Sequence, residues 1–299
     1  MSLNHYQLST QSIQTGSRSF RLASLILNST EKRGAYLLYY WCRHCDDIVD
    51  QAKTPELARE ALQNLKHQTE VGLSNKFYSG DTPFSGLYEL TSNYGIPKNY
   101  FFELLEGFQM DTDHYKIQST EDLLKYCYHV AGVVGLMMSF ILRVRNKTAL
   151  DQADTLGRAM QLTNIARDVF EDYQIQRIYL PLEWRHSAGL KDNEALFESS
   201  NKIKLFGLVE RLLTLADNYY EQGRRGIVEL PLRAAWSISV ASFLYQGIGL
   251  KIKKIGPSAL DKRTVLSPLE KLSMFTFGTL YFLKSCWIRS LLQLKERLN

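Results

Sequence analysis

Two otherwise apolar runs each end in carboxylates one helical turn apart, and this pattern limits the architectures open to the chain. The first, Tyr36-Leu37-Leu38-Tyr39-Tyr40-Trp41-Cys42-Arg43-His44-Cys45-Asp46-Asp47-Ile48-Val49-Asp50, is mostly aromatic and aliphatic before its three acids. At about 100° per residue, Tyr39, Arg43, Asp46 and Asp50 fall within about 60° of one another on a helix. In the second, Gln161-Leu162-Thr163-Asn164-Ile165-Ala166-Arg167-Asp168-Val169-Phe170-Glu171-Asp172, the residues Gln161, Asn164, Asp168 and Asp172 cluster within about 80°. Two Asp one turn apart repel by a few tenths of a kcal/mol on an isolated helix, so each face needs something to offset it. Carboxylate and amide oxygens suit magnesium or manganese better than zinc. Magnesium is held by one or two carboxylates plus substrate phosphates, so two such helices facing across a cavity would make a diphosphate site. The plainer alternative is a pair of solvated acidic faces, salt-bridged to neighbours such as Arg43 and Arg167.

The rest of the chain reads as helix. Glycine at 18 and proline at 7 are few for 299 residues, no β-alternation persists, and no period repeats. Thr54-Pro55, Ser119 to Asp122 and Ser267-Pro268-Leu269-Glu270 are helix starts with capping residues. They predict helices near 55–73, 120–144 and 268–297, and periodicity adds 31–50, 97–112, 149–173, 203–223 and 233–253. The stretch 177–198, with Pro181 and Gly189, reads as a looser connection. We expect an all-α chain forming a single domain over 1–299, with an apolar content of 45% sufficient for a large core.

A long apolar substrate chain would need a channel beside the acids. Ala131, Gly132 and Gly135, in a helix where each glycine costs about 1 kcal/mol relative to alanine, leave volume either for such a channel or for close helix packing. Cys42, Cys45, Cys127 and Cys286 are too few and scattered for a disulfide framework, and one C-x-x-C pair without a second makes a poor zinc site. No Gly-rich phosphate loop or dinucleotide fingerprint is present. The opening MSLNHYQLST lacks the basic and apolar regions of a signal peptide, so a cytoplasmic location is expected.

Charge is uneven along the chain. Residues 251–299 carry ten Lys/Arg against three acids, a net of +7 within a chain of net +5. Mixed with Met274, Phe275, Phe277, Leu280, Tyr281, Phe282 and Trp287, this basic amphipathic segment would rest on anionic headgroups, peripheral to the inner face of the cytoplasmic membrane, or pack as a helix with a solvated basic face. Its longest uncharged run, 272–283, is short of the ~20 residues a spanning helix needs. No nucleic-acid partner is expected, and the sequence leaves the oligomeric state open.

Several segments resemble the phytoene branch of the squalene/phytoene synthase family: 39–47, 126–138, 161–168 and Leu230-Pro231-Leu232-Arg233-Ala234-Ala235-Trp236, within a likeness running from Gly16-Ser17-Arg18-Ser19-Phe20 to about Arg263. The resemblance implies an isoprenoid synthase helical bundle around a central cavity and condensation of two geranylgeranyl diphosphates to phytoene through prephytoene diphosphate. A squalene- or dehydrosqualene-type enzyme using farnesyl diphosphate is the alternative, and a non-catalytic relative a more distant one. Carried over by position, Asp46, Asp50, Asn164, Asp168 and Asp172 would bind magnesium or manganese, and Asp46, Asp50, Asp168, Asp172, Arg43 and Tyr39 would carry catalysis. Arg43, Arg167, Arg177, Tyr179 and Tyr245, with Arg18 and Arg263, would contact diphosphate. Ser17, Ser19, Phe20, Tyr39, Val130, Gly132, Gln161 and Asn164 would line the prenyl chains. No NADPH requirement is expected. Two departures from the family pattern are Phe170, where many members have glycine, and the absence of basic residues in Tyr173-Gln174-Ile175-Gln176.

Overall fold

The computed structural model describes residue 9 and residues 18–75, 83–190, 193 and 195–298, with side chains other than those of 18–20 and 292–298. Regular structure among the described residues is helical. Helix α1 (Arg18–Ser24) precedes α2 (Ser29–Asp50), whose N-terminus closes with a reciprocal box in which Asn28 accepts from the Glu31 N–H and Glu31 accepts from the Asn28 N–H. The Thr54-Pro55 start opens α3 (Pro55–Ser74), with the Thr54 hydroxyl accepting from the Leu57 N–H. Then come α4 (Leu87–Tyr94), α5 (Lys98–Thr112) and α6 (Thr120–Ile141), the last opened by the Ser119–Asp122 box. After α7 (Lys147–Gln174) the expected loose stretch contains a short helix, α8 (Leu182–Ser187). The chain continues through α9 (Lys202–Gly223), α10 (Leu232–Ile255) and α11 (Pro268–Leu298), and Ser267 and Glu270 cap α11 reciprocally.

Each acid-bearing helix is anchored by its opposite face. Helix α2 buries Leu37, Leu38, Trp41, Cys45 and Val49 in a core shared with α3 to α6. Trp41 is fully buried there, edge-on to Phe101 at 5.1 Å, and its indole N–H donates to Thr69. Helix α7 buries Leu162, Ile165, Ala166 and Val169 against α9 and α10. Each buried Leu, Ile or Val among them contributes about 2 kcal/mol, which outweighs the few tenths lost to Asp–Asp repulsion on either helix.

The single helix expected over 120–144 is interrupted. Helix α6 widens into a π-turn over Tyr128–Gly132 and stops at Ile141, with Arg143 at a left-handed φ of 63°. The reason is close approach to α7. A Cβ on Gly135 would collide with the Ala153 carbonyl, one on Gly157 with the Ala131 carbonyl, and one on Gly132 with the Asp154 carboxylate. The volume these glycines leave is thus filled by α7, the close-packing alternative read from the sequence. Helix α6 is long and apolar enough to cross a membrane, yet it packs between α5 and α7 within the bundle.

Candidate active site

The final turns of α2 present Asp46, Asp47 and Asp50 beside Arg43. The Arg43 guanidinium donates to Asp46 at 3.1 Å and pairs with Asp47; burial works against its charge, the two acids outweigh that, and Tyr39 lies nearby one turn earlier. Loss of water pushes the Asp46 carboxyl up to about 7, and the neighbouring Asp50 charge adds to this while Arg43 opposes it. About a third of the Asp46 side chain remains open to solvent.

On α7, Asp168 receives two guanidinium groups. Arg167, largely buried, donates through Nε at 2.7 Å and through Nη2, and Arg263, half-exposed on the segment before α11, donates through Nε at 2.8 Å and Nη2 at 3.0 Å. Burial works against the Arg167 charge, but Asp168 outweighs it, and Tyr245 of α10 lies nearby. Asp172, one turn on, is pushed up to about 8 by loss of water and then by Asp168, against the pull of Arg177. Asn164 donates to Gln161 at 3.2 Å, while its own carbonyl oxygen is buried with no hydrogen-bond donor. Such an orphaned acceptor costs about 1–3 kcal/mol.

The end of α7 ties this face to α2. Gln176 adopts a left-handed φ of 62°, the Arg177 N–H returns to the Asp172 carbonyl at 2.8 Å, and the Arg177 side chain donates to Asp50 at 2.7 Å. Burial works against the Arg177 charge, but Asp111, Tyr179 and Asp50 together outweigh it and raise its pKa. The two acidic faces therefore meet through an arginine 127 residues away in sequence from its partner.

Asp111 of α5 was missed by the motif reading. It accepts from Tyr179 at 2.7 Å and from Tyr126 at 3.0 Å, and it lies close enough to Asp46 and Asp172 to raise both. One signal was present: Asp111 continues the face of Leu104 and Phe108 at i+7 and i+3, a charge on a buried stripe. Phe170 leaves the acidic face intact, its ring packing edge-on to Phe197 at 5.2 Å and pinning the 195–198 turn to α7. Val130 sits on the π-turn beside Gly107 of α5, and Gly132 is buried against α7. Ser17 lies outside the described residues, as do the side chains of Arg18, Ser19 and Phe20.

Among the described residues no three His, Cys, Asp or Glu side chains converge as a self-sufficient metal cage. The acids are divided between two walls, the arrangement expected where phosphate oxygens complete the coordination.

Residues 13–270 match the family model described as squalene/phytoene synthase. The chain is 40% identical over 274 residues to a phytoene synthase from Pseudescherichia vulneris, covering 89% of this chain and 88% of the relative. It is 39% identical over 280 residues to a 15-cis-phytoene synthase from Pantoea ananas, covering 91% and 89%. The crystal structure of a ligand-bound dehydrosqualene synthase superposes with a TM-score of 0.84 at 30% identity, covering 94% of this chain and 97% of that one.

Proposed function

The chain belongs to the squalene/phytoene synthase family, and from that premise we propose that it condenses two geranylgeranyl diphosphates head to head, through prephytoene diphosphate, to phytoene in carotenoid biosynthesis. The observation that carries this reading is the seam itself: two acidic helix faces joined by Arg177, with a buried amide oxygen left without a donor. The choice of geranylgeranyl over farnesyl chains rests on the names of the relatives.

The donor set fits a divalent cation. Asp46, Asp50, Asn164, Asp168 and Asp172 offer hard oxygens only, and the Asn164 oxygen gains a partner if it becomes a ligand. Magnesium or manganese bound there supplies charge neutralisation for a departing diphosphate. The protein supplies the rest. Arg167 and Arg263 hold Asp168 by forked contacts, Arg177 holds Asp50 by one, and Arg43 divides itself between Asp46 and Asp47; a diphosphate can match each with more charge, so each can exchange an acid for a phosphate oxygen. Such donors stabilise negative charge as the leaving group departs. We assign the rings of Tyr39 and Phe20 to the allylic cation and Ser17, Arg18, Ser19, Val130, Gln161, Tyr179 and Tyr245 to the substrate lining; Gly132, whose open side is filled by α7, serves the packing of α6.

The test is diphosphate release from geranylgeranyl diphosphate with magnesium. Asp168→Asn and Asp46→Asn should lower kcat by about 1000-fold with the fold retained by circular dichroism; a variant that keeps the natural rate overturns the assignment.

A second reading concerns product release. We propose that α11 rests on an anionic bilayer at the inner face of the cytoplasmic membrane. Leu269, Leu272, Leu280, Leu283, Trp287 and Leu291 are 80, 62, 56, 55, 65 and 45% exposed, and their spacing places them within about 100° on a stripe ~33 Å long. Much of this stripe lies beyond the family match, which ends at residue 270. The basic content is smaller than the sequence count suggests, because Lys251, Lys253, Arg263 and Arg289 are occupied by Glu270, Asp217, Asp168 and the Val228 and Leu230 carbonyls. Lys254, Lys262 and Lys284 remain at the surface. Co-sedimentation with phosphatidylserine vesicles should fall for Leu280→Glu/Trp287→Glu. Binding independent of lipid charge and of this pair, or a dimer that the pair dissolves, contradicts the reading.

A further inference from the structure

Asp168 of α7 meets more positive charge than it can neutralise. Arg167 donates to it through Nε at 2.7 Å and through Nη2, and Arg263 donates through Nε at 2.8 Å and Nη2 at 3.0 Å. A carboxylate has about four lone-pair sites on its two oxygens, and these four donors occupy them. Two permanently charged guanidinium groups on one carboxylate leave a positive surplus there. A cation approaching Asp168 meets that surplus and finds its lone pairs taken, whereas an anion is drawn to the same place.

The two arginines are not equivalent. Arg167 belongs to α7 and its side chain is 15% exposed, whereas that of Arg263 is 54% exposed. Arg263 lies on a strap between the turn at 256–261 and α11, in which Thr264 and Leu266 are buried while Arg263 and Val265 are exposed. The strap is pinned at both ends. Lys202 of α9 donates to Asp261 at 2.6 and 2.8 Å, and Lys251 of α10 donates to the Val265 carbonyl at 2.9 Å and to Glu270 of α11 at 2.7 Å. With the backbone fixed in this way, Arg263 leaves Asp168 by a swing of its own side chain, and water can take its place.

We propose that Arg263 is a latch on the acidic seam: it stands in for a divalent cation on Asp168 until a diphosphate draws it away, so that cation and diphosphate each tighten the binding of the other. The inference rests on the cation–diphosphate reading argued above and adds to it an order of events. A diphosphate offers the Arg263 fork more negative charge than a carboxylate already shared with Arg167. Once the fork turns to phosphate, Asp168 regains open lone pairs and loses the surplus charge beside it. The coupling is reciprocal, because whatever helps one ligand to bind is returned to the other. A half-exposed ion pair is weak, so the closed latch outnumbers the open one by about 5-fold, and metal binding on its own is weakened by about that factor.

The experiment titrates manganese chloride into the metal-free full chain, with and without inorganic pyrophosphate, at physiological salt, where distant charges are screened. Arg263→Gln should bind manganese alone about 5-fold more tightly than the natural protein. Pyrophosphate should tighten manganese binding in both, by a smaller factor in the variant, because part of its effect on the natural protein is release of the latch. Lys262→Gln removes the exposed charge beside Arg263 on the strap and should keep manganese affinity within about 2-fold of the natural value. Affinity for manganese alone that is unchanged or weaker in Arg263→Gln, or that rises equally in Lys262→Gln, overturns the proposal. If Arg263→Gln does not fold, Arg263→Lys, which cannot fork across both oxygens, decides by the same criterion. If the natural protein binds no manganese even with pyrophosphate, the cation–diphosphate reading of the seam falls and the latch with it. A natural protein that binds the two together, beside an Arg263→Gln variant that gains nothing with manganese alone, sinks the latch only.

Discussion

Asn164→Leu should make the metal-free protein more stable and the protein less able to use metal. The Asn164 carbonyl oxygen is buried without a donor, a burden of about 1–3 kcal/mol. Its amide makes one bond, to Gln161 at 3.2 Å, contributing about 0.5–1.5 kcal/mol. Leucine is similar in shape, removes the orphaned acceptor and gives up that bond, while half-buried Gln161 can turn toward water. The net gain is about 1 kcal/mol, or about 2 °C in Tm for a chain of this size. Thermal unfolding in a chelator should show that increase. With magnesium added, the natural protein should gain by ligand linkage and the variant much less, so the order of melting temperatures narrows or reverses. A variant that melts lower than the natural protein in chelator, or that responds equally to magnesium, refutes the view that this oxygen is held ready for a cation.

The pH dependence follows from Asp46 and Asp172. Their carboxyls are pushed up from 3.8 to about 7 and about 8, so the native state binds more protons than the unfolded chain above about pH 4. Their contribution to metal-free stability is present at low pH and lost as pH rises through about 7 to 8. Metal must displace those protons, so the magnesium-induced rise in Tm should be larger near pH 8 than near pH 6; equal gains would contradict the assignment. Gly157→Ala should destabilise by about 1–3 kcal/mol, because its Cβ meets the Ala131 backbone. Gly207→Ala, an exposed α9 position with nothing within 4 Å, should stabilise by about 1 kcal/mol in the same denaturant titration.

Features carried by local periodicity were legible in the sequence. The faces of Asp46–Asp50 and Asp168–Asp172 follow from 100° per residue alone, and the Thr54, Ser119 and Ser267 caps marked α3, α6 and α11 because capping needs only four neighbouring residues. What escaped depends on contacts distant in sequence. Asp111 shows its character only beside Tyr126 and Tyr179, 15 and 68 residues away. The glycines of α6 carried no indication of whether a ligand or α7 would fill their space. Counting charges overstated the basic tail because Lys253 finds Asp217 and Arg263 finds Asp168 only in the folded chain. The resemblance to the squalene/phytoene synthases supplied the substrate and reaction, which periodicity could not.

The most direct test of the account is the hydrocarbon made by the purified full chain when given geranylgeranyl diphosphate and farnesyl diphosphate in equal amounts, with magnesium and no reductant. The account predicts phytoene, with two diphosphates released for each molecule formed and none of this activity after chelation. Hydrocarbon built only from farnesyl chains, or phytoene formed at the full rate in chelator, would contradict it.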